Sequence, residues 1–395
     1  MGVAAAAFAQ EPVWTWSELP GAKATAFAVV FDAGFVHDAD GEHGLARALA
    51  ECRLESARAA VPDTLGSGTQ VTADATVAFV LVDAAKAASG LAFCRALVDD
   101  GLAPSDDVVR LAIARAALAA DDAEHLFPGE MFECAARRAL LAGPIARPVA
   151  GTASAVAAVD AVRLRERLRE PVGFRGVGVG AVPADVRAAA AAWVARDVSP
   201  PRASERGTDR LRVAPPTPHA RIDGPFAAAA FVAGDAGPEL AVAVEVARQR
   251  AARRWRFRGK EWIAKAPAVS WSWTRGEPLV RFCRRGVEGA DPAGAKGDIE
   301  ALLADLRERP PSAAEVAAAV RALESECGAS GSAEASLLPG RAIGAGLARR
   351  RGIDVATLAA VTPDGALRAA RRTFAPDTGW WGSMVPTGVR PDSPW

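Results

Sequence analysis

Along this chain short apolar or alternating runs give way to longer stretches with apolar positions three and four apart, and that succession occurs twice. In the first pass residues 13–19 and 24–31 read as strands. Residues 44–60 read as a helix, with Leu45, Ala48, Leu49 and Cys52 on one face. Residues 71–82, rich in β-branched positions and preceded by Gly66-Ser67-Gly68, read as the next strand. Residues 84–99 and 105–124 read as amphipathic helices, 153–170 as a further helix, and 173–186 as a strand followed by a helix. The glycine-dense run Gly173 to Gly180 alternates with valine as a strand does. It lacks both Gly-Lys-Ser/Thr and a G-x-G-x-x-G ahead of a helix, which argues against a phosphate loop.

Residues 197–225 hold Pro200-Pro201, Pro215-Pro216 and Pro218 with few large apolar positions, the composition of a linker. The pattern then restarts with a strand at 226–232 and a helix at 239–254, and strands at 268–273 and 279–283. Helices at 297–307, 312–326, 341–351, 355–359 and 363–373 follow, and a last strand at 379–385. Two halves of similar order imply an internal duplication. The expected organisation is a disordered leader (1–12), an N-terminal domain (13–196), the linker (197–225) and a C-terminal domain (226–395).

Composition adds exclusions. At 395 residues, 50% of them hydrophobic, the chain is long enough for two cores. Its 47 basic and 47 acidic residues cancel, so no net charge draws it to nucleic acid or to an anionic membrane. Cys52, Cys94, Cys134, Cys283 and Cys327 are odd in number and contain no Cys-x-x-Cys, which points to buried thiols in a reducing cytoplasm. The first ten residues end in Ala-Phe-Ala, like a cleavage site, but lack a basic start. A periplasmic location through a clipped signal is the alternative to the cytoplasm. No apolar run has the length of a membrane span.

The candidate chemistry sits at Gly44-Leu45-Ala46-Arg47-Ala48-Leu49-Ala50-Glu51-Cys52, after the turn-like Asp32-Ala33-Gly34. This frame resembles the first motif of the M16 (pitrilysin/insulinase-type) zinc peptidases, where a strand, an acidic loop and a Gly-Leu-Ala opening lead into His-x-x-Glu-His. The 71–82 strand, Pro144-Ile145-Ala146-Arg147-Pro148-Val149-Ala150-Gly151-Thr152 and the 173–186 segment are similar to later blocks of that family. The chemistry of the motif needs imidazoles at i and i+4 on one helix face and a glutamate to polarise zinc-bound water.

Here the corresponding positions are Arg47, Ala50 and Glu51, with neither imidazole nor base. Arg47 and Glu51 read as an intrahelical ion pair on an exposed face: either a positive charge in the metal's place or a degenerate site filled by packing. The register of the third ligand falls near Arg115 or Ala116 in residues 111–118, where no carboxylate stands; Asp121, Asp122 and Glu124 are placed at the helix end. A substitute site from His37, His43 and the acidic residues between them, with His125, is weighed against a solvated loop that caps the following helix. The capping loop is preferred.

The resemblance implies an α+β fold of two related M16-type domains, each a mostly antiparallel sheet with helices on one side. It also implies a half-size, non-catalytic subunit. Zinc would be supplied by a partner subunit carrying His-x-x-Glu-His, and this chain, without a metal of its own, would close the cleft around a peptide substrate. Trp255-Arg256-Phe257-Arg258-Gly259-Lys260-Glu261-Trp262 is similar to the family stretch that holds substrate, which implies Arg258 and Trp262 as peptide-binding residues; the family's tyrosine, due near Ala264, is absent. A structural scaffold of the same fold, without proteolysis, is the alternative.

Overall fold

The structure is a computed structural model that describes residues 13–39, 41–99, 101–125, 128–193, 217–219, 224–234, 237–255, 269–272, 279–286, 292–327, 333–350, 353, 355–375 and 377–387. The first half runs β1 (Trp14–Glu18), β2 (Ala24–Phe31), α1 (Leu45–Ala60), β3 (Gly66–Val71), β4 (Thr76–Asp83), α2 (Ala87–Val98), α3 (Asp106–His125), α4 (Pro128–Leu140), α5 (Ala153–Ala157), α6 (Ala161–Leu168), β5 (Phe174–Gly180) and α7 (Ala184–Ala191). The second half runs β6 (Thr217–His219), β7 (Phe226–Val232), α8 (Pro238–Arg254), β8 (Val269–Ser272), β9 (Leu279–Arg285), α9 (Pro292–Glu308), α10 (Ala313–Glu326), α11 (Leu338–Arg350), α12 (Val355–Leu358), α13 (Pro363–Thr373) and β10 (Trp380–Pro386).

Each half builds one five-stranded sheet, in the orders β1-β5-β2-β4-β3 and β6-β10-β7-β9-β8. Every pairing is antiparallel except β1 with β5 and β6 with β10. The orders superimpose strand for strand, so the duplication expected from the pattern is present in the topology, and the α+β architecture with mostly antiparallel sheets is as expected. β6 lies inside the segment expected to be linker.

Local chemistry explains the differences from the sequence expectation. The run at 71–82 is a hairpin rather than one strand: the Thr72 hydroxyl accepts from Ala75 N at 3.1 Å and Thr72 N donates to Ala75 O at 2.7 Å, turning the chain. Gly66–Val71 therefore forms an edge strand. The helix expected over 153–170 is split, because the Asp160 carboxylate accepts from Val162 N at 3.0 Å and opens α6. β5 is the strand expected from its glycine-valine alternation, and the glycines have a packing reason. A Cβ at Gly176 would stand 2.3 Å from the Trp14 ring, and one at Gly178 2.4 Å from Trp16.

The sheets are covered on both faces, where one face had been expected. Phe27, Val29 and Phe31 of β2 join Leu54 of α1 and Leu91, Phe93 and Leu97 of α2 in one core. Ala24, Ala26, Ala28 and Val30, pointing the other way, pack with Leu338, Ala342 and Leu347 of α11, a helix of the second half. The converse holds for β7: Ala227, Ala229 and Phe231 face α8 and α9, while Phe226, Ala228 and Ala230 meet Phe132 and Ala136 of α4, a helix of the first half. Each half lends the other the helix that closes its sheet.

Candidate functional site

The exchange of α4 creates the candidate site. A cavity of about 430 Å³ opens between α1, the β3 edge with the turn after it, the C-terminal part of α3, α4 and β8. Arg47, Thr69, Asp122, Glu133, Arg137 and Trp271 line it, so both halves contribute.

α1 is aimed into the cavity by its start. The Asp38 carboxylate accepts from Gly44 N at 2.8 Å and Ala46 N at 2.9 Å, and Arg147 donates to the Asp38 carbonyl at 2.7 Å. Gly44 has φ of +95°, and a Cβ there would meet Val156 Cγ2 at 2.3 Å, which fixes glycine at this entry. Burial pushes the Asp38 carboxyl up to about 6, against the pull of the two amides. The acidic loop thus caps the helix as expected, but its capping residue is buried rather than solvated.

Along α1 the three motif positions meet different fates. Ala50 is buried with Phe35, Val71, Ala73 and Ile145. Glu51 is buried too, which corrects the exposed ion pair of the sequence reading. Its carboxylate takes Arg47 Nη2 at 2.9 Å and the Thr69 hydroxyl at 2.8 Å, tying the helix to the β3 edge. Arg47 faces the cavity with its Nε buried and without a hydrogen-bond partner.

This donor set does not fit a zinc ion. A guanidinium and a methyl group offer no lone pair, and the one carboxylate is held by two donors. His37, His43 and His125 do not replace them. Burial lowers the basicity of His37, whose Nδ1 accepts from Gly34 N at 3.0 Å; His43 is half-exposed; exposed His125 bonds Asp121 at 2.9 Å. Among the described residues no three His, Cys, Asp or Glu side chains gather as a metal-binding group.

The register expected on α3 is displaced. Ala116 packs in the core with Leu45, Ala48 and Cys52 of α1, and Arg115 turns outward to Glu55. The α3 residues that face the cavity are Ala119, Asp122 and Ala123, so a carboxylate does stand in the cleft, about two turns beyond the position expected.

Sequence reasoning missed α4 and with it the charged floor. Glu133 accepts from Arg137 at 3.1 and 2.9 Å and lies 3.3 Å from Arg281 of β9, which also donates to Gly129 O. Burial alone would raise the Glu133 carboxyl, but the guanidiniums of Arg137 and Arg281 outweigh it and hold it below the usual carboxylate range. Arg137 is 1% exposed, sits 5.4 Å from the Phe35 ring and donates to Ile145 O. The missed signal was the spacing of Met131, Phe132, Ala135, Ala136, Ala139 and Leu140 after Pro128, which is helical. Arg258 and Trp262 lie outside the described residues.

No protein-family model matches the sequence, and no curated protein matches it. Solved structures do match in fold. A putative M16-like peptidase from Alicyclobacillus acidocaldarius aligns with a TM-score of 0.66 at 16% identity, over 95% of this chain and 96% of that one. The peptidase M16 inactive domain from Pseudomonas fluorescens aligns with a TM-score of 0.62 at 15% identity, over 95% and 96%. A chain of complex III2 from Candida albicans aligns with a TM-score of 0.68 at 12% identity, over 94% and 93%. The fold is that of the M16-like peptidases.

Proposed function

We propose that this chain is a non-catalytic, half-size subunit of an M16-type peptidase: it closes the cleft and binds the peptide that a zinc-bearing partner subunit cuts. One observation carries the reading. The cleft is intact, open along the β3 edge and lined from both halves, while the helix that would bear the zinc ligands presents Arg47, Ala50 and Glu51 instead. Unpaired main-chain groups on an edge strand suit a peptide that adds as a further strand, and that binding needs no metal. Arg258 would donate to a peptide carbonyl or terminal carboxylate with its planar fork, and Trp262 would supply an aromatic face.

The test is co-expression with a homologous chain that carries His-x-x-Glu-His. The two chains should co-elute as a heterodimer, and the pair should cut peptides faster than the partner alone. Arg258→Ala should leave the heterodimer intact and lower kcat/KM by roughly ten- to a hundredfold, the worth of a charge-assisted hydrogen bond. A heterodimer whose rate is the same with and without this chain's Arg258 would favour the second reading, a scaffold without a role in proteolysis. That reading draws on the likeness to a chain of complex III2. Absence of any association with the partner would overturn the peptidase-subunit reading.

A further inference from the structure

The duplication supplies an internal control for a second cavity. Where α11 crosses the sheet of the first half the contact is tight: a Cβ on Gly346 would stand 2.5 Å from Val30 Cγ2, and Leu338, Ala342 and Leu347 fill the layer. Where α4 crosses the sheet of the second half at its β10 side, a cavity of about 370 Å³ is left beside the helix. Met131, Cys134, Ala135 and Arg138 project along it at i, i+3, i+4 and i+7, a single stripe of α4. Phe132, Trp380 and Met384 complete an apolar wall, with Phe132 and Trp380 in edge contact at 6.2 Å between centroids.

Among the described residues the titratable side chains at this groove, the thiol of Cys134 aside, are Arg138 and His125. Arg138, at the C-terminal end of the stripe, is exposed and forms no ion pair with a described residue. The His125 imidazole lies at the same cavity, bonded to Asp121. Among the described residues no carboxylate lines the groove. Its volume falls in the range of small-ligand pockets, which combine apolar walls with a few polar groups that fix orientation. Two methionines in the wall let it adapt to different apolar shapes.

We propose that this groove binds small amphipathic carboxylates, with the apolar body against Phe132, Met384 and Trp380 and the carboxylate on the Arg138 guanidinium. Bidentate pairing of carboxylate with arginine sets the orientation. The cavity shares Ala123 and Cys134 with the cleft lined by Arg47, so the carboxylate can belong to a free acid or to the last residue of a peptide lying in the cleft.

The test is calorimetric titration of the full chain with octanoate and 4-phenylbutyrate, and with octanamide as the uncharged control. The acids should saturate with a Kd on the order of 0.1 to 1 mM, as expected of ligands this small. Octanamide should bind at least tenfold more weakly. Arg138→Gln should weaken the acids tenfold or more and leave octanamide unchanged; Ala135→Phe, which fills the groove, should abolish both. A circular-dichroism melt checks that each variant is folded, and Arg138→Gln at the surface carries the test by itself if the filled variant is not. N-acetylated peptides ending in leucine distinguish the sources: tighter binding with a free than with an amidated C-terminus assigns the site to peptide ends, and no peptide binding assigns it to free acids. Absence of saturable binding by either acid, or an equal loss of acid and amide in Arg138→Gln, would overturn the proposal.

Discussion

Two buried arginines show how much single residues carry. Arg53 of α1 donates to Leu97 O at 2.8 Å and Leu168 O at 3.0 Å, the carbonyl ends of α2 and α6. Its counterpart in the second half, Arg250 of α8, donates to Asp305 O and Arg309 O at the end of α9, and also holds the Asp305 and Glu315 carboxylates at 3.1 Å. Removing Arg250 takes the one buried cation from these carboxylates and leaves them the exposed Arg253 and Arg309, at 2.7 Å from Glu315 and 3.1 Å from Asp305. Arg250→Met should therefore cost about 1.5 to 3 kcal/mol, the worth of hydrogen bonds to charged groups, read by urea denaturation.

The same cluster sets a pH dependence. Hydrogen bonding from Arg250 holds the Glu315 carboxyl down at about 2, from a usual value of 4.5. Because the folded pKa is the lower one, the stabilisation is complete above about 4.5 and is lost as pH falls from there toward 2. Melting temperatures taken between pH 5 and 2 should fall less steeply for Glu315→Gln than for the parent. At the cleft, elemental analysis of the purified chain should find no stoichiometric zinc, since Arg47 and Ala50 offer no donor; a value near one zinc per chain would refute the degenerate-site reading.

At the scale of elements, most of what sequence pattern foretells is here. β2, β7, β9 and β10 stand at their expected places because continuous apolar runs bounded by turns have few other uses. α10 begins where Ser312 and Glu315 form a reciprocal capping box. The hairpin at Thr72 to Ala75 was not legible, since its turn is made by a threonine hydroxyl rather than by glycine or proline. β5 shows the opposite case, in which glycines that look like a phosphate loop are there to receive two tryptophan rings. Gly176→Ala should drive Trp14 from its stacked position on Trp16, 5.3 Å between centroids, and cost roughly 1 to 3 kcal/mol in thermal unfolding.

At the scale of the molecule, the halves are not independent. Each sheet keeps one face dry only through the other half's helix, and the Glu133 carboxylate is held from both sides by Arg137 and Arg281. Residues 1–193 and 194–395 expressed as separate chains should each be poorly soluble or bind hydrophobic dyes, because the faces under α11 and α4 would be exposed. Co-expressed, they should reassemble into a complex of the parental size on gel filtration. Two soluble, stable monomers would show that the exchanged helices are dispensable.

What the sequence determined by itself were the quantities that depend on neighbours along the chain: the two rhythms and their repetition, the start of α1, and the replacement of imidazoles by Arg47 and Glu51. Local spacing and capping are read within a turn or two, so they survive without a structure. The tertiary structure alone decided which carboxylate of α3 enters the cleft, that Glu51 is buried against Thr69, and that α4 supplies its charged floor. Those facts join residues separated by up to about two hundred positions, from Arg47 to Trp271, across two sheets whose closing helices change places. Periodicity says which face of a helix is apolar; it does not say which of two similar sheets that face will cover.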